Sequence, residues 1–374
     1  MDPLRRFHEV VGERHEYALR WKREKGAPVF GVLGDYVPEE MIYAAGILPV
    51  RILGGHEPPH LADPHISPDK WCFLCRDCLA EGLSGKYRYL DGLIITVSCF
   101  HLQQSFDSWV QHSPLRYTYC LDMPFYVQGR LARECFTREM EQFRHSLEKW
   151  MGDPISPDRL TKAIQIYNKN RQGMRTVYHS RRSNPSWVSG SQAMEMVLAS
   201  MLMDKEEHNG LLENLIDHAA RSVQSPHPGI RLMVIGAESN DTEVVRLIES
   251  LGAEVVADVH SLGTRYFWND ISLNGNPVSS IASRYLGKIP LPQMDFPSYT
   301  HASTSLRFAK DFNVQGAIFL LNTHCDPFQW EIPIVGRMFE ENKIAFMTLE
   351  LDPIGSSAKT QVRLEAFIEM LKQE

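Results

Sequence analysis

Apolar residues in the first 130 positions follow the spacing of alternating helices and strands. Residues 4–24 place apolar side chains at helical intervals among many charges, which predicts an amphipathic helix that stops at Gly26 and Pro28. Further helices are predicted over 38–45 and 100–111. Four short apolar runs predict buried strands: 29–33, 47–53, 90–97 and 117–121. Strands that alternate with helices predict a parallel sheet, because parallel neighbours need a crossover connection.

The pattern changes twice after this first part. Helical spacing dominates residues 130–220, where Ser156 is predicted to cap a helix that starts at Pro157, with an interruption near 181–191. Strand and helix patterns then alternate again. The predicted strands are 230–235, 253–257, 316–321 and 344–349, and the predicted helices are 241–251, 330–341 and 360–372.

This organisation predicts an α/β fold with two parallel-sheet α/β domains and an intervening helical domain. We place the N-terminal α/β domain at 1–128, the helical domain at 129–226 and the C-terminal α/β domain at 227–374, with a boundary at 226–229. A length of 374 residues agrees with more than one core.

Composition narrows the function classes. The formal net charge of −7 argues against a sequence-independent nucleic-acid binder, which would carry a basic face. No apolar run approaches the roughly 20 residues of a membrane-spanning helix. Residues 1–25 contain no apolar core of a signal peptide, and seven cysteines, an odd number, suit a reducing compartment. We therefore expect a cytoplasmic protein with no membrane or nucleic-acid partner.

The cysteines form the most informative pattern in the chain. Cys72, Cys75 and Cys78 lie at three-residue intervals, and core packing does not call for three thiols in seven residues. Cys99 and Cys325 each follow a predicted buried strand and precede a predicted helix. Ligands collect at the carboxyl edge of open α/β sheets, so one thiol of the triplet is expected to join Cys99 and Cys325 around an iron–sulfur cluster.

Other interpretations of the cysteines remain open at this point. A structural zinc site usually has a second Cys-x2-4-Cys pair, and a ferredoxin-type run needs a fourth close cysteine, usually before a proline. A three-thiolate cluster with one open iron needs neither. Cysteine nucleophile chemistry at Cys99 with His101 as its base is disfavoured, because adjacent positions on a turn rarely supply that geometry. Cys120 and Cys135 are expected to be ordinary buried core residues.

Phosphate motifs are missing from the sequence. It contains neither a Gly-x4-Gly-Lys-Ser/Thr loop nor a Gly-x-Gly-x-x-Gly after a strand, so the chain itself is not expected to hydrolyse ATP. Arginines cluster at 171, 175, 181 and 182, either as a solvated helix face or as a contact for an anionic group such as a coenzyme A phosphate. Asp35 and Glu39 are helix-start acids whose position at a strand edge also permits proton transfer.

A family resemblance fits these features. The segment from Gly34 to Arg51, with its Asp-Tyr-Val-Pro-Glu-Glu core, resembles the opening βαβ unit of the 2-hydroxyacyl-CoA dehydratase and benzoyl-CoA reductase superfamily. Four further segments are similar to that family: 85–99, 167–171, 322–352 and 360–367. The fragment 73–80, together with 107–109, looks most like the catalytic subunits of ATP-dependent class I benzoyl-CoA reductase.

The resemblance implies a ligand set and partners. Each catalytic subunit of that family holds a [4Fe–4S] cluster through three cysteines, which match Cys72, Cys99 and Cys325 here. A separate ATPase activator, with ferredoxin upstream, would deliver low-potential electrons to the cluster, and a homologous cluster-binding subunit would complete a heterodimer. The electrons would enter an aromatic acyl-CoA and dearomatise its ring to a cyclohexadienoyl-CoA.

Residue roles beyond the cysteines follow as expectations. His101, Glu39 and His324 are the candidates for proton transfer, and Asp35, Arg171 and Arg175 are the candidates for substrate binding. The alternatives are a 2-hydroxyacyl-CoA dehydratase subunit, a homodimeric double-cubane cluster reductase that uses Cys75 and Cys78 as extra ligands, and a non-catalytic scaffold subunit whose partner holds the substrate.

Overall fold

The computed structural model describes residues 2–55, 59–67, 70–183, 186–219, 229–240, 242–351 and 358–373. The strands are β1 (Val29–Leu33), β2 (Leu48–Arg51), β3 (Gly92–Thr96), β4 (Tyr117–Leu121), β5 (Ile230–Gly236), β6 (Ala253–Val259), β7 (Gly316–Asn322) and β8 (Ala345–Leu351). The helices are α1 (Pro3–Gly12), α2 (Arg14–Lys25), α3 (Glu39–Ala44), α4 (Phe73–Leu83), α5 (Phe100–His112), α6 (Ala132–Met151), α7 (Pro157–Ser180), α8 (Gly190–Leu202), α9 (Lys205–Ala219), α10 (Thr242–Ser250), α11 (Thr264–Phe267), α12 (Pro277–Leu286), α13 (Thr300–Asp311), α14 (Asp326–Glu341) and α15 (Ala358–Gln373).

The first sheet is parallel, with strand order β2-β1-β3-β4. Every residue of β1 and β3 is buried, as expected of central strands that are covered on both faces. In the register, Phe30 lies opposite Pro49 on one side and Gly92 on the other. The strand β4 is an edge strand, and its middle residues are partly or fully exposed.

The second sheet repeats this arrangement, with strand order β6-β5-β7-β8 and parallel pairing throughout. All seven residues of β6 and of β7 are buried. The chain therefore folds as the α/β class predicted from the sequence, with two four-stranded parallel sheets and the helices α6–α9 between them in the chain.

The helical part joins the first sheet through buried polar contacts. Ser156 caps α7 by accepting a hydrogen bond from the amide of Arg159, and Pro157 is the first helical residue, as predicted. In the middle of α7 the guanidinium of Arg171 forms a buried ion pair with Glu40 of α3. This pair fixes the helix against the first turn after β1.

Several local predictions were wrong. The single opening helix is two helices, because Glu13 leaves helical geometry between α1 and α2 (φ −107°, ψ 30°). The helices α11–α13 are absent from the predicted elements. Cys120 and Cys135 are exposed rather than buried. Cys120 lies on an edge strand, where alternate side chains face away from the core.

The domain boundaries stay a prediction, and residues 226–228 of the predicted boundary lie outside the described residues. Across the described part of the chain, none of the helices combines the length and the apolar character needed to span a bilayer.

Candidate functional site

The three predicted ligand cysteines occupy the same local position in the fold. Cys72, Cys99 and Cys325 are the N-cap residues of α4, α5 and α14, respectively. At an N-cap the side chain points back over the first helical turn, where backbone N–H groups have no partner within the helix. The Cys99 sulfur accepts one such N–H, from Leu102, at 3.4 Å.

Sheet topology brings two of these caps to corresponding places. Cys99 follows β3 and Cys325 follows β7, and each of these strands is the third of its sheet in chain order. Both thiols therefore lie at the carboxyl edges of the sheets, where the sequence predicted them. A backbone hydrogen bond of 3.2 Å from the amide of Phe73 to the carbonyl of Thr323 joins the start of α4 to the turn before Cys325.

Four thiols meet at this point. The side chain of Cys72 interacts with those of Cys325 and Cys75 through hydrogen bonds, and Cys75 interacts with Cys99 in the same way. All four line one inner cavity of about 70 Å³. Cys78, the third member of the triplet, is buried one turn further along α4.

The helix ends give the thiol cluster a positive environment. Three helix N-termini point their partial positive charges at the same small volume, which favours anions there. Hydrogen bonds from Cys325 and Cys75 hold the pKa of the Cys72 thiol well below its usual value. A hydrogen bond from Cys75 also lowers the pKa of Cys99, against the opposing effect of burial. The site thus favours thiolates, the form that binds metals.

The arrangement fits a cluster better than a single ion. Among the residues that the structure describes, no three His, Cys, Asp or Glu side chains are disposed to hold one metal ion together. An iron–sulfur cluster binds each cysteine to a different iron, so its ligands surround a volume instead of converging on one point. Thiols that line one cavity, at three helix N-termini, suit that second requirement.

Charged groups form the inner wall of the same cavity. Asp35 and Glu238 line it together with Ser261. Asp35 is paired with Arg265, whose Nη1 lies 2.8 Å from the carboxylate, and more loosely with Arg51, at 3.5 Å. Burial raises the pKa of Asp35, but Arg265, Lys288 and Arg51 outweigh it, so that the net pKa lies below its ordinary value.

Glu238 behaves in the opposite way. Burial raises its pKa to about 7, against the opposing effect of Arg51, whose Nη1 lies 3.8 Å from the carboxylate. A carboxyl group that titrates near neutral pH beside a cluster of thiols is suited to give and take a proton. Sequence reasoning missed this residue because no motif surrounds it.

An outer cavity of about 260 Å³ adjoins the thiols and opens to the surface. Its mouth carries three exposed aromatic side chains: Phe100 (81% exposed), Phe125 (51%) and Trp330 (78%). His101 lines it as well, and stacks on Trp71 with ring centroids 4.4 Å apart. A hydrogen bond with the Cys72 side chain raises the pKa of His101, so this imidazole is the predicted proton-transfer residue that lies at the thiols.

The other predicted site residues lie elsewhere or are already paired. Glu39 accepts a hydrogen bond of 2.6 Å from the hydroxyl of Tyr266, away from the residues that line the two cavities. Arg171 is buried against Glu40, and Arg175 forms an ion pair of 2.6 Å with Asp270. His324 is exposed in a left-handed backbone conformation, with φ 62°.

The buried position of Arg171 excludes the solvated-face interpretation for that residue. Its charge is matched by Glu40 inside the protein, and Arg181 of the same cluster is likewise buried, with its Nη2 directed at the carbonyl of Val255. Long side chains at helical spacing do not reveal which of them face a neighbouring domain.

Two residues in the walls escaped the sequence analysis. Gln293 donates from Nε2 to the carbonyl of Ser98 at 2.8 Å, and its buried Oε1 has no protein partner. Gln293 lines both cavities. For Glu238 a signal did exist, because an acidic residue follows a glycine at the end of the first strand of each sheet, in Gly34-Asp35 and in Gly236-Ala237-Glu238.

Comparison with known proteins agrees with this architecture. The family model described as 2-hydroxyglutaryl-CoA dehydratase, D-component, matches residues 35–371. A benzoyl-CoA reductase subunit of Thauera aromatica is 24% identical over 356 residues, covering 92% of each chain. The (R)-phenyllactyl-CoA dehydratase beta subunit of Clostridium sporogenes is 23% identical, covering 98% of this chain and 97% of its own. The (R)-2-hydroxyglutaryl-CoA dehydratase beta subunit of Acidaminococcus fermentans is 23% identical, covering 98% of both.

Proposed function

Because the chain belongs to the 2-hydroxyglutaryl-CoA dehydratase D-component family, we propose that it is an iron–sulfur subunit of an enzyme of the benzoyl-CoA reductase type. Cys72, Cys99 and Cys325 would hold a [4Fe–4S] cluster, and the substrate would be an aromatic acyl-CoA. The observation that carries this proposal is the meeting of these three thiols at the N-termini of α4, α5 and α14.

The chemistry of the donor set supports the cluster. Thiolates are the usual ligands of iron–sulfur clusters, and such a cluster, when bound, supplies low-potential electrons. The chain's own part is to keep the thiols deprotonated and the surroundings dry. The helix N-termini serve the first task, and the buried walls around Asp35 and Ser261 serve the second.

The outer cavity supports an aromatic substrate. Its walls include Phe100, Phe125 and Trp330, so that a flat ring can pack against aromatic faces beside the thiols. His101 lies between this cavity and Cys72, with its pKa raised, and can hold a proton for transfer to a reduced ring. Glu238 would serve as a second proton source from the inner wall.

Partner proteins complete the proposed reaction. We infer that a homologous cluster-binding subunit pairs with this chain, as the names of its relatives imply for those proteins. An ATPase activator, supplied with electrons by ferredoxin, would use ATP outside this chain, whose sequence has no phosphate-binding motif. The exposed aromatic mouth of the outer cavity is the natural contact for such a partner.

A second candidate is a 2-hydroxyacyl-CoA dehydratase subunit. It is favoured by the two dehydratase beta subunits, which match the chain at nearly the same identity as the reductase subunit and over more of its length. In that case the same thiols would hold the cluster, and the substrate would lose water without net reduction.

The deciding experiment supplies the chain, under anaerobic conditions, with its homologous subunit and an activator, and offers benzoyl-CoA and a 2-hydroxyacyl-CoA in parallel. ATP-dependent formation of a cyclohexadienoyl-CoA supports the reductase. Formation of an enoyl-CoA instead contradicts it and supports the dehydratase. Anaerobically purified chain without iron and sulfide would refute both.

A further inference from the structure

We propose that Cys75 is a fourth thiolate ligand of the cluster site, so that this chain holds every iron of a [4Fe–4S] cluster itself. This inference rests on the proposed function, because it presumes that the cluster is bound. It departs from the three-thiolate site with one open iron that the sequence alone led us to expect.

The position of Cys75 in α4 makes such a role feasible. Cys72 is the N-cap and Cys75 the third helical residue, which gives a Cys-x2-Cys spacing at a helix start. Two thiols at that spacing serve one metal centre in zinc sites and in ferredoxins. The helix also fixes Cys75, because the hydroxyl of Ser105 on α5 donates to the Cys75 carbonyl at 3.1 Å.

The surroundings of the Cys75 thiol point to the same role. Its sulfur interacts with Cys72 on one side and with Cys99 on the other, between thiols that belong to two different helices. The inner cavity is lined by Cys75 together with the three proposed ligands. A thiol placed between two ligands, on the wall of their shared cavity, is where a fourth corner ligand belongs.

Cys78 shows what a merely structural thiol on this helix looks like. It is as deeply buried as Cys75, and each residue exposes 3% of its surface. Among the described residues that line the inner and outer cavities, Cys78 is not included, whereas Cys75 is. Because the two differ in place but not in burial or side chain, Cys78 is the matched control for Cys75.

A closed site changes what this chain can contribute. With four thiolates, no iron position is left for an oxygen atom of a substrate. The chain would then hold a cluster that accepts and passes on electrons, while substrate binding at iron, if the complex needs it, falls to another protein. Two clusters per chain, as in a double cubane, would need more thiols than the four that meet here.

The test compares the full chain with Cys75→Ala and Cys78→Ala, each loaded with iron and sulfide under anaerobic conditions. We expect about four iron and four sulfide per chain in all three proteins. Mild oxidation followed by electron paramagnetic resonance is the readout, because an iron without a protein ligand is lost first and leaves a [3Fe–4S] signal. Wild type and Cys78→Ala should resist this conversion, and Cys75→Ala should convert at least several-fold faster.

A second measurement needs no variant. Cyanide added to the reduced wild-type cluster alters its resonance spectrum only if one iron is open, so an unchanged spectrum is expected. A changed spectrum, or equal rates of conversion in wild type and Cys75→Ala, overturns the assignment of Cys75 and leaves the proposed function intact. A wild-type chain that binds no cluster overturns the proposed function itself.

Discussion

The two sheets of this protein share one plan and differ in what they add to it. In each sheet the strands are ordered second, first, third, fourth, and in each the third strand ends at a cysteine that caps the next helix. The connections between the second and third strands differ. In the first sheet this connection carries α4 with its three thiols, and in the second it carries α11 and α12 with Arg265 and Arg284.

The difference shows how a repeated framework acquires an asymmetric site. The shared topology supplies one thiol from each half, at matching sheet edges. The remaining thiols come from the first connection alone. The second connection supplies cations instead, and Arg265 and Lys288 reach across to the carboxyl and carbonyl groups of Asp35 in the first half. Each half therefore completes a feature that the other half begins.

Replacing the equivalent cysteines tests the shared part of the plan and should have the largest effect. We expect Cys99→Ala and Cys325→Ala each to lose most of the iron that the anaerobic wild type binds, because each removes a proposed ligand at one sheet edge. Iron and sulfide analysis is the measurement. Cys120→Ala is the control, since this thiol is exposed on an edge strand. Full iron content in both site variants would contradict the ligand set.

Removing the cation that the second half contributes should cost the most stability. Arg265 is fully buried and also donates to the hydroxyl of Ser261 and the carbonyl of Ile289. We expect Arg265→Met to lower the free energy of unfolding by about 4 kcal/mol, because a buried carboxylate loses its nearest partner. Urea denaturation measures the change.

The control for that experiment is an ion pair at the surface. Arg138 and Glu134 form such a pair, with about two thirds of each side chain exposed. Arg138→Met should leave the denaturation midpoint unchanged within error, because solvent screens exposed pairs. Equal effects of the two substitutions would show that the charges between the halves do not stabilise the fold.

Two glycines at matching strand ends should respond unequally to the same substitution. Both Gly34 and Gly236 have a left-handed φ, of 86° and 114°. A Cβ at Gly236 would lie 2.3 Å from the carbonyl oxygen of Leu320, whereas at Gly34 it would first meet the end of the Leu102 side chain, at 2.8 Å.

A backbone atom cannot move aside as a side chain can. We expect Gly236→Ala to cost about 3 kcal/mol of unfolding free energy and Gly34→Ala about half of that, mainly for the positive φ. Denaturant titration of both variants checks the order. A larger loss for Gly34→Ala would mean that the two strand ends are not packed as described.

The acids beside those glycines should give stability opposite pH dependences. The pKa of Glu238 is raised to about 7, so the folded protein holds a proton there that the unfolded chain releases near its ordinary pKa of 4.5. Its contribution to stability is therefore complete below about pH 4.5 and is lost as the pH rises through about 7. Glu238→Gln should recover about 2 kcal/mol of stability at pH 8 relative to wild type.

Asp35 provides the contrast, because its pKa is lowered by the cations around it. Its contribution is present above its ordinary pKa of 3.8 and is lost as the pH falls below that value. Denaturation curves of Glu238→Gln and Asp35→Asn against wild type, from pH 4 to pH 8, separate the two. Parallel pH profiles for both variants would contradict the described electrostatics.

Local sequence patterns foretold the strand ends but not the contacts across the protein. Cys99 and Cys325 could be assigned because a buried apolar run precedes each, and the edge of a parallel sheet is a predictable place. The ion pair of Arg171 with Glu40 could not, because it joins residues 131 positions apart. Cys75 and Cys78 look alike in the sequence, and only the rotation of α4 against α5 distinguishes them.

The helix-capping position of the cysteines affects the order in which the site is built. An N-cap side chain is oriented by its own backbone once the helix has formed, so Cys72, Cys99 and Cys325 are in place before iron arrives. The entropy of gathering ligands from distant parts of the chain is then met by folding and not by metal binding. The apoprotein is in this sense a finished mould, ready for delivery of a preassembled cluster through the open outer cavity.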